Sequence, residues 1–365
     1  MTFVCGTHQV FIYEMGGVNV VAELTPVESV RWERVRDEIS TAEAVIPTTT
    51  CCDELSELRC IKHELHLVRD GIPVWQGPIT RLEYDHDVVR IYAEDVLWQA
   101  KRMVLLQGYT QAYPNMWDVV ARMDWLLRDQ CYSLNVDPWN VVPHLHPFIL
   151  DGNPKTSRAV NDSQFYVWED FDKYAEDSGA DYTVVNRDIY YFDTHLAWNI
   201  LPPLQEEFIS QFPRIVEYGN SAATRCIVTN GEGQAGYSGA PDWLGYGIVD
   251  LLITNVGEAS EDGPTPEELD EWNRTAAHNV DGLIPPPVSI VIPENTTLMP
   301  GAPWDIPDLI PGSWFQINID GLCRTFDSWQ KLHHVQVTEA APNGETVQFT
   351  ATTPPSHMII PPPVP

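Results

Sequence analysis

The stretch LHLVRDGIPVW, residues 65–75, decides the fold of the first third of the chain. Apolar side chains at Leu65, Leu67 and Val68 lead into the pair Asp70-Gly71, and an apolar run follows it. Asp-Gly is a favoured two-residue turn because both central positions need a positive φ. The stretch therefore predicts a β-hairpin.

A second hairpin follows directly. Residues 79–84 alternate in the manner of a strand, residues 85–87 form a polar turn, and residues 88–92 read as the returning strand. Together the two hairpins predict one sheet-based unit, an N-terminal β domain over residues 1–107.

Between residues 108 and 203 the pattern changes to that of a smaller α+β insert. Helical spacing over 116–127 predicts a first helix, and Ser163 and Gly179 bracket a second one. A compact hairpin then joins residues 182–185 to residues 189–192.

Residues 204–355 are again strand-like and predict a C-terminal β domain, with strands over 212–218, 224–229 and 247–253. One helix, residues 265–281, interrupts them, and its start is marked by Thr265 as cap, Pro266 at the first helical position and Glu268 closing a capping box. Residues 356–365 form a proline-rich tail of extended, polyproline type.

The two β regions share a plan. Residues 65–93 and residues 314–351 both contain a strand, an Asp-Gly turn, an aromatic-bearing strand and a closing strand. The similarity is architectural and not residue by residue, and it suggests two related β domains in one chain. The fold class predicted is α+β, mainly β.

Charge and composition exclude several functions. The 365 residues include 21 Lys and Arg against 52 Asp and Glu, a formal charge of −31. Sequence-independent nucleic-acid binding and attraction to an anionic membrane both need the opposite sign. With 44% hydrophobic residues the chain should fold, and with no apolar run near ~20 residues and no signal-peptide pattern we expect neither membrane insertion nor export.

The seven cysteines are odd in number and scattered, so a disulfide framework is not expected. Cys51, Cys52 and Cys60, with His63 and His66, raise a zinc hypothesis. Their spacing fits no common zinc module, and buried or idle thiols are the favoured interpretation.

Other chemical motifs are also weak. The formal pattern G-x-G-x-x-G occurs at residues 231–236, but no helix start follows it, and a loop is favoured. His144 and His146 lie between prolines without a third ligand, and acid pairs such as Glu169 with Asp172 are expected by chance among 52 acids. We predict no catalytic, cofactor-binding or metal-binding residues.

Several short segments, taken in order, resemble the minor tail proteins of actinobacteriophages that form the tail-tip or baseplate hub. They are VRWERVRDEIS (30–40), WQGPI (75–79), VRIYAED (89–95) with Trp98 and Arg102, VEYGNSAATR (216–225) and DLIPG (308–312). Each is low in specificity alone, and their joint order over most of the chain carries the resemblance.

The resemblance implies a structural, non-enzymatic role without cofactors. It implies two tail-tube-like β-barrel or sandwich domains flanking the insert, and a homotrimer whose pseudo-six-fold ring joins the tail tube to the distal tip. Its partners would be the distal tail ring protein, other minor tail proteins and the tape measure protein. Its place would be the virion tail tip, after synthesis in the host bacterial cytoplasm.

The acidity suggests that such a ring lines the DNA exit channel without binding the DNA. Tyr237, Trp243 and Tyr246 are candidate interface anchors, although core packing explains any one of them equally well. Two other classes stay open: a tail-associated hydrolase of cell-wall glycan and a carbohydrate-binding receptor module.

Overall fold

The computed structural model describes residues 5–48, 56–104, 142–145, 166–217, 219–230, 235–239, 245–254, 264–280, 288–320, 323, 325–340 and 344–352. The strands up to residue 193 are β1 (His8–Glu14), β2 (Val20–Leu24), β3 (Ser29–Val35), β4 (Thr41–Pro47), β5 (His63–Arg69), β6 (Ile72–Tyr84), β7 (Val88–Glu94), β8 (Val142–Leu145), β9 (Ala180–Val185) and β10 (Asp188–Asp193). Those that follow are β11 (Leu204–Gln205), β12 (Arg214–Glu217), β13 (Arg225–Thr229), β14 (Ala235–Gly239), β15 (Asp250–Thr254), β16 (Val288–Val291), β17 (Trp314–Ile319), β18 (Phe326–Ala340) and β19 (Gly344–Thr352). The α-helices are α1 (Val167–Ser178) and α2 (Pro266–Val280).

The chain divides into two compact units. Up to Pro354, unit 1 contains Met1–Phe212 and Ile292–Pro354, and unit 2 contains Pro213–Val291. Because strands outnumber helices in the described part of both units, the mainly β fold class is confirmed.

Unit 1 is built on one large sheet. In the described residues it has eleven strands in the order β11-β17-β18-β3-β4-β7-β6-β5-β1-β2, with β19 pairing β18. The long strand β18 pairs antiparallel with β17, with β19 and with β3. Residues some 300 positions apart in the sequence, such as Trp32 and Val337, are therefore direct neighbours.

Both predicted N-terminal hairpins are confirmed. Asp70 and Gly71 have φ values of 49° and 82° between β5 and β6, as their turn requires. The second hairpin joins β6 to β7. β6 changes partner along its length, from β5 over residues 72–78 to β7 over residues 79–84.

Gly77 stands at this change of partner. A Cβ at this position would overlap the carbonyl oxygen of Glu94 and lie 2.8 Å from the Cα of Asp95. The glycine therefore allows the backbones of β6 and β7 to approach closely.

The helix and hairpin predicted after residue 163 are confirmed as α1, β9 and β10. Phe171 of α1 packs edge-on against Tyr182 of β9, with ring centroids 4.9 Å apart. Gly179, at φ 65°, ends α1, and Asn186, at φ 57°, lies in the hairpin turn. The helix predicted over 116–127 lies outside the described residues.

Unit 2 contains a three-stranded sheet, β14-β13-β15, covered on one face by α2. Trp272, Ala276 and Val280 recur at helical spacing and pack on Cys226 and Val228 of β13. The predicted capping box is confirmed, because the backbone N–H of Glu268 donates to Thr265 Oγ1 (3.2 Å) and Thr265 N–H donates to the Glu268 carboxylate (2.6 Å). A further pair, β12 with β16, completes the described part of this unit.

The predicted division into 1–107, 108–203 and 204–355 stays a prediction. Strands of the first and last of these regions share one sheet, so contacts alone do not separate them. Within the described part of the chain, no helix is long and apolar enough to span a bilayer.

Candidate functional site

Arg34 of β3 joins three segments of unit 1. Its guanidinium donates to the carbonyl oxygens of Val74 (2.8 Å), Leu309 (3.0 Å) and Ile306 (3.2 Å), and it lies over the ring of Trp32. The side chain is buried, and burial lowers its pKa to about 10. Three of the segments that carry the sequence resemblance, around residues 30–40, 75–79 and 308–312, therefore meet at or beside one buried cation.

A first ionic cluster, formed by His8, Trp32, Arg69, Glu339 and Glu345, connects β1 and β5 to β18 and β19. Arg69 makes a bidentate pair with Glu345, with Nε to Oε1 at 2.7 Å and Nη2 to Oε2 at 2.8 Å. His8 Nδ1 lies 2.7 Å from Glu339 Oε2. Strands from the two ends of the described chain are thus held together by buried charged side chains.

The first ionic cluster also fixes the proton on His8. The indole N–H of Trp32 lies 2.9 Å from His8 Nε2, and an indole nitrogen can only donate. Nε2 must therefore accept, which leaves the proton on Nδ1, where it is donated to Glu339. The imidazole is neutral in this arrangement.

A second ionic cluster, formed by Arg36, Asp37, Asp181, Tyr182 and Lys331, attaches β9 to β3 and β18. Lys331 Nζ donates to Asp181, which also faces Arg36 at 3.6 Å. Tyr182 donates its backbone N–H to Asp37 Oδ1 (3.0 Å) and its hydroxyl to the Asp37 carbonyl oxygen (2.8 Å).

The pKa values of the two acids of this cluster, Asp37 and Asp181, are shifted in opposite directions. Burial and the neighbouring charge of Asp181 raise the pKa of Asp37 to about 7. Against the effect of burial, Lys331 and Arg36 hold the pKa of Asp181 below its usual range. Asp181 is therefore the ionised partner of the lysine, while Asp37 titrates near neutrality.

Glu64 of β5 provides a third buried contact with the β9–β10 hairpin. Its carboxylate accepts from Arg187, from Gln76 Nε2 (3.2 Å) and from the Gly16 backbone N–H (2.9 Å). Nearby, burial and the charge of Arg187 lower the pKa of His66 to about 4, so this imidazole is neutral.

Sequence reasoning missed these buried charges, although one signal was present. In VRWERVRDEIS, residues 30, 32 and 34 share one face of a strand, and Val30 and Trp32 identify that face as the core side. A cation at the third position of such a face predicts a buried cation that needs acceptors. Lys331 gives no comparable local signal, because its partners come from distant segments.

One exposed apolar surface lies at the sheet edge of unit 1. Val18 in the β1–β2 turn is 71% exposed, and Val20 and Val21 of β2 are exposed as well. β2 ends the strand order, so one row of its backbone groups has no strand partner among the described residues. Exposed apolar edge strands are sites of association. We call Val18, Val20 and Val21 the β2 edge.

A second exposed apolar surface is the face of the unit 2 sheet that points away from α2. Tyr237 of β14, Ile227 of β13 and Leu252 of β15 form one cross-strand row on it. Tyr237 is 70% exposed, and the adjacent row contains a bidentate pair between Arg225 and Asp250 at 2.7 Å. Of the other suggested anchors, Tyr246 is exposed, and Trp243 lies outside the described residues.

Among the described residues, those of the zinc hypothesis do not form one site. Cys60 is an exposed free thiol, while His63 Nδ1 accepts from the Arg59 backbone N–H at 3.0 Å. Cys51 and Cys52 lie outside the described residues. In the described ranges, no group of three or more His, Cys, Asp or Glu side chains has the arrangement of metal ligands.

The last glycine of the G-x-G-x-x-G pattern, Gly236, lies where α2 packs on the sheet of unit 2. The prediction of a loop is wrong for Ala235 and Gly236, which begin β14. A Cβ on Gly236 would lie 2.7 Å from the Cβ of Trp272, so this glycine lets α2 approach the sheet.

The suggested histidine and acid pairs do not form sites in the described residues. His144 lies in β8, opposite Tyr190 of β10, and its suggested partner His146 lies outside the described residues. Asp172 accepts the hydroxyl of Tyr182 at 2.8 Å, and it is thereby part of the packing of α1 on β9.

The fold of this chain, with its large mixed sheet, is found in a solved tail protein. The chain is similar to the tail protein from Neisseria meningitidis MC58, with a TM-score of 0.52 and 12% identity over 94% of this chain and 96% of that chain. It is also similar to the 43 kDa tail protein of prophage MuSo2 from Shewanella oneidensis, with a TM-score of 0.49 and 12% identity over 96% and 99% of the two chains. A third similar structure is the prophage tail protein gp18 from Listeria monocytogenes EGD-e, with a TM-score of 0.47 and 11% identity over 94% and 95%.

The first of these likenesses assigns the fold of this chain, and the other two are weaker. No protein-family model matches the sequence, and no curated protein matches it.

Proposed function

We propose that this protein is a structural, non-enzymatic component of a phage tail, a hub subunit in the ring that joins the tail tube to the distal tip. The observation that carries the proposal is the tail-protein fold, which extends over 94% of the chain. The order of the resembling segments along the sequence supports the more specific assignment to the tip.

The ring would be a homotrimer. Its two tube-like β regions, within residues 1–107 and 204–355, would give three copies a pseudo-six-fold symmetry that matches a six-fold tail ring. The shared plan of the two regions supports this arrangement. Its neighbours would be the distal tail ring protein, other minor tail proteins and the tape measure protein.

The β2 edge is the surface that we assign to contacts between copies. It is apolar and exposed, and it offers backbone groups to a second strand. A lysine at Val20 would place a charge in that contact, whereas the same change at Ile72, an exposed residue beside the Asp70-Gly71 turn, leaves the edge intact.

Native mass measurement tests the ring. We expect a species of three times the 41.3 kDa chain mass, loss of that species in Val20→Lys and its retention in Ile72→Lys. A monomer at all concentrations would contradict the trimer, and a trimer unaffected by Val20→Lys would contradict the assigned surface.

The charge of −31 supports the channel function. Three such chains around a central path would repel DNA and let it pass without binding. A three-dimensional image of the tail tip with this chain labelled tests both its place and its lumen. A basic lumen, or a position away from the tip, would contradict the proposal.

The hydrolase and the glycan receptor are the competing functions. Clearing of host cell walls in a zymogram would favour the hydrolase, and retention of the purified chain on host cell-wall glycan would favour the receptor. No contact described above favours either of them.

A further inference from the structure

A groove of about 430 Å³ lies in unit 1, and none of the residues of the two ionic clusters or of the β2 edge lines it. Its lining is rich in aromatic, proline and branched apolar side chains: Tyr190, Trp198, Ile200, Pro202, Pro303 and Pro307. The volume is within the range of about 300–1,000 Å³ that binding pockets usually have.

The aromatic wall of the groove is fixed by packing. The ring of Trp198 stacks on Tyr190 at 5.4 Å with an interplanar angle of 23°, and it contacts Phe192 on another side at 4.9 Å. The buried Trp304 donates its indole N–H to the Pro202 carbonyl oxygen at 2.8 Å. Ile200, another lining residue, is 46% exposed.

Asn199 and Asp308 also line the groove. A preformed groove with aromatic walls suits one class of peptide. Segments in the polyproline II conformation dock into aromatic-lined grooves because they are already extended and lose little entropy on binding. Proline rings pack flat against indole and phenol rings, and no charge is needed on either side.

The chain itself has a candidate sequence for such a segment, SHMIIPPPVP at residues 356–365, which lies outside the described residues. Four of its last five residues are proline, and it contains no Asp, Glu, Lys or Arg. Its chemistry therefore matches the lining of the groove.

The sheet places the start of this part of the chain close to the groove. Thr352 of β19 pairs with Lys331 of β18, Lys331 pairs with Trp314 of β17, and Trp314 bridges to Ile200. Three strand spacings of about 4.8 Å put Ile200 about 14 Å from Thr352. Nine residues in polyproline II conformation, at about 3.1 Å each, would span about 28 Å, so the chain after Thr352 is long enough for the prolines at 361–363 to contact the groove.

We propose that this groove binds the proline-rich segment Ser356–Pro365 of the same chain. The segment packs its prolines on Trp198 and Tyr190 and covers Ile200. This contact is independent of the tail-tip function, since it rests on unit 1 and the sequence alone.

The test adds the synthetic peptide SHMIIPPPVP to full-length chains and measures binding by calorimetry. The triple variant Pro361→Gly, Pro362→Gly and Pro363→Gly, which we call the emptied variant, removes the prolines that would occupy the groove. We expect saturable binding of the peptide to it. The wild type should bind it at least about tenfold more weakly, because its own segment competes at a high effective concentration. Adding Trp198→Ala or Ile200→Lys to the emptied variant should weaken binding at least about tenfold.

Two controls fix the interpretation. Tyr237→Ala, an exposed aromatic in unit 2, should leave peptide binding unchanged, and a peptide with glycine in place of its prolines should not bind. Ile200→Lys changes only a half-exposed side chain, so it reports on the groove even if Trp198→Ala does not fold.

Three outcomes would overturn the proposal. The first is no binding of the peptide to the emptied variant, and the second is binding that is indifferent to Trp198→Ala and Ile200→Lys. The third is self-association of the wild type that is lost in the emptied variant, since the segment would then bind a second copy.

Discussion

Replacing Arg69 by methionine tests whether the first ionic cluster holds the two ends of the large sheet together. Arg69 is 8% exposed at its side chain and Glu345 is fully buried. After Arg69→Met, the Glu345 carboxylate keeps the Gly6 backbone N–H at 2.8 Å but loses both guanidinium contacts. Removing one partner of a buried ion pair typically costs about 3–5 kcal/mol, because the remaining charge stays buried without compensation.

The assay is urea unfolding of the full chain, followed by the fluorescence of its tryptophans, which include the buried Trp32, Trp75, Trp304 and Trp314 of unit 1. We expect Arg69→Met to lower the free energy of unfolding by about 3–5 kcal/mol. Adding Glu345→Gln removes the stranded charge, so the double variant should recover about 2 kcal/mol, a coupling typical of groups in contact.

The matched control is Arg81→Met, which removes an exposed ion pair with Glu83 from the same sheet. Exposed pairs are worth about 0–1 kcal/mol. The reasoning is refuted if Arg69→Met costs no more than Arg81→Met, or if the effects of Arg69→Met and Glu345→Gln simply add.

Three further changes test other parts of the structure. The pKa of Asp37 is raised to about 7, so the folded state keeps a proton that the unfolded chain releases at its ordinary, lower pKa. The free energy of unfolding should therefore fall between about pH 4 and pH 7. Burial raises the pKa of Asp95 to about 7 as well, so Asp37→Asn should reduce that slope in a pH series of urea titrations without removing it, and an unchanged slope would contradict the assignment. Gly77→Ala should destabilise unit 1 by about 1–3 kcal/mol or more in thermal unfolding, because its Cβ would overlap the Glu94 carbonyl oxygen. Gly219→Ala, which places a Cβ in open space, should change the stability little. Equal effects of the two changes would contradict the close approach of the β6 and β7 backbones. Thr265→Ala should lower the free energy of unfolding by about 1 kcal/mol and speed amide hydrogen exchange in the first turn of α2. Unaltered exchange in that turn would show that α2 does not depend on the capping box.

Local features of the fold could be predicted because their causes are local. The Asp70-Gly71 turn, the stop at Gly179 and the capping box at Thr265 each depend on a few adjacent residues, and each is confirmed. The pattern of alternation predicted several strands, among them β5, β6 and β7, but not the separate strands β1 to β4, and it carries no information on which distant strand becomes the partner.

The long-range pairings explain what the sequence could not show. The pairing of β3 with β18 and the contact of Lys331 with Asp181 join segments separated by some 300 and 150 residues. Their register depends on side chains that face each other only after folding. The candidate surfaces share this difficulty in part. Tyr237 could be suggested from its residue type alone, whereas the exposure of Val20 depends on β2 lying last in the sheet.

The placement of β18 has a consequence for how the protein is made. Until residues 326–345 have left the ribosome, β3 lacks its outer neighbour, and Arg69 lacks its partner Glu345. Non-local pairing slows folding and leaves sheet edges exposed in the meantime. We therefore expect nascent chains that stop short of residue 326 to aggregate or to bind chaperones, and ribosome-release assays on a series of stalled lengths should show protease resistance of the N-terminal strands only after β18 emerges.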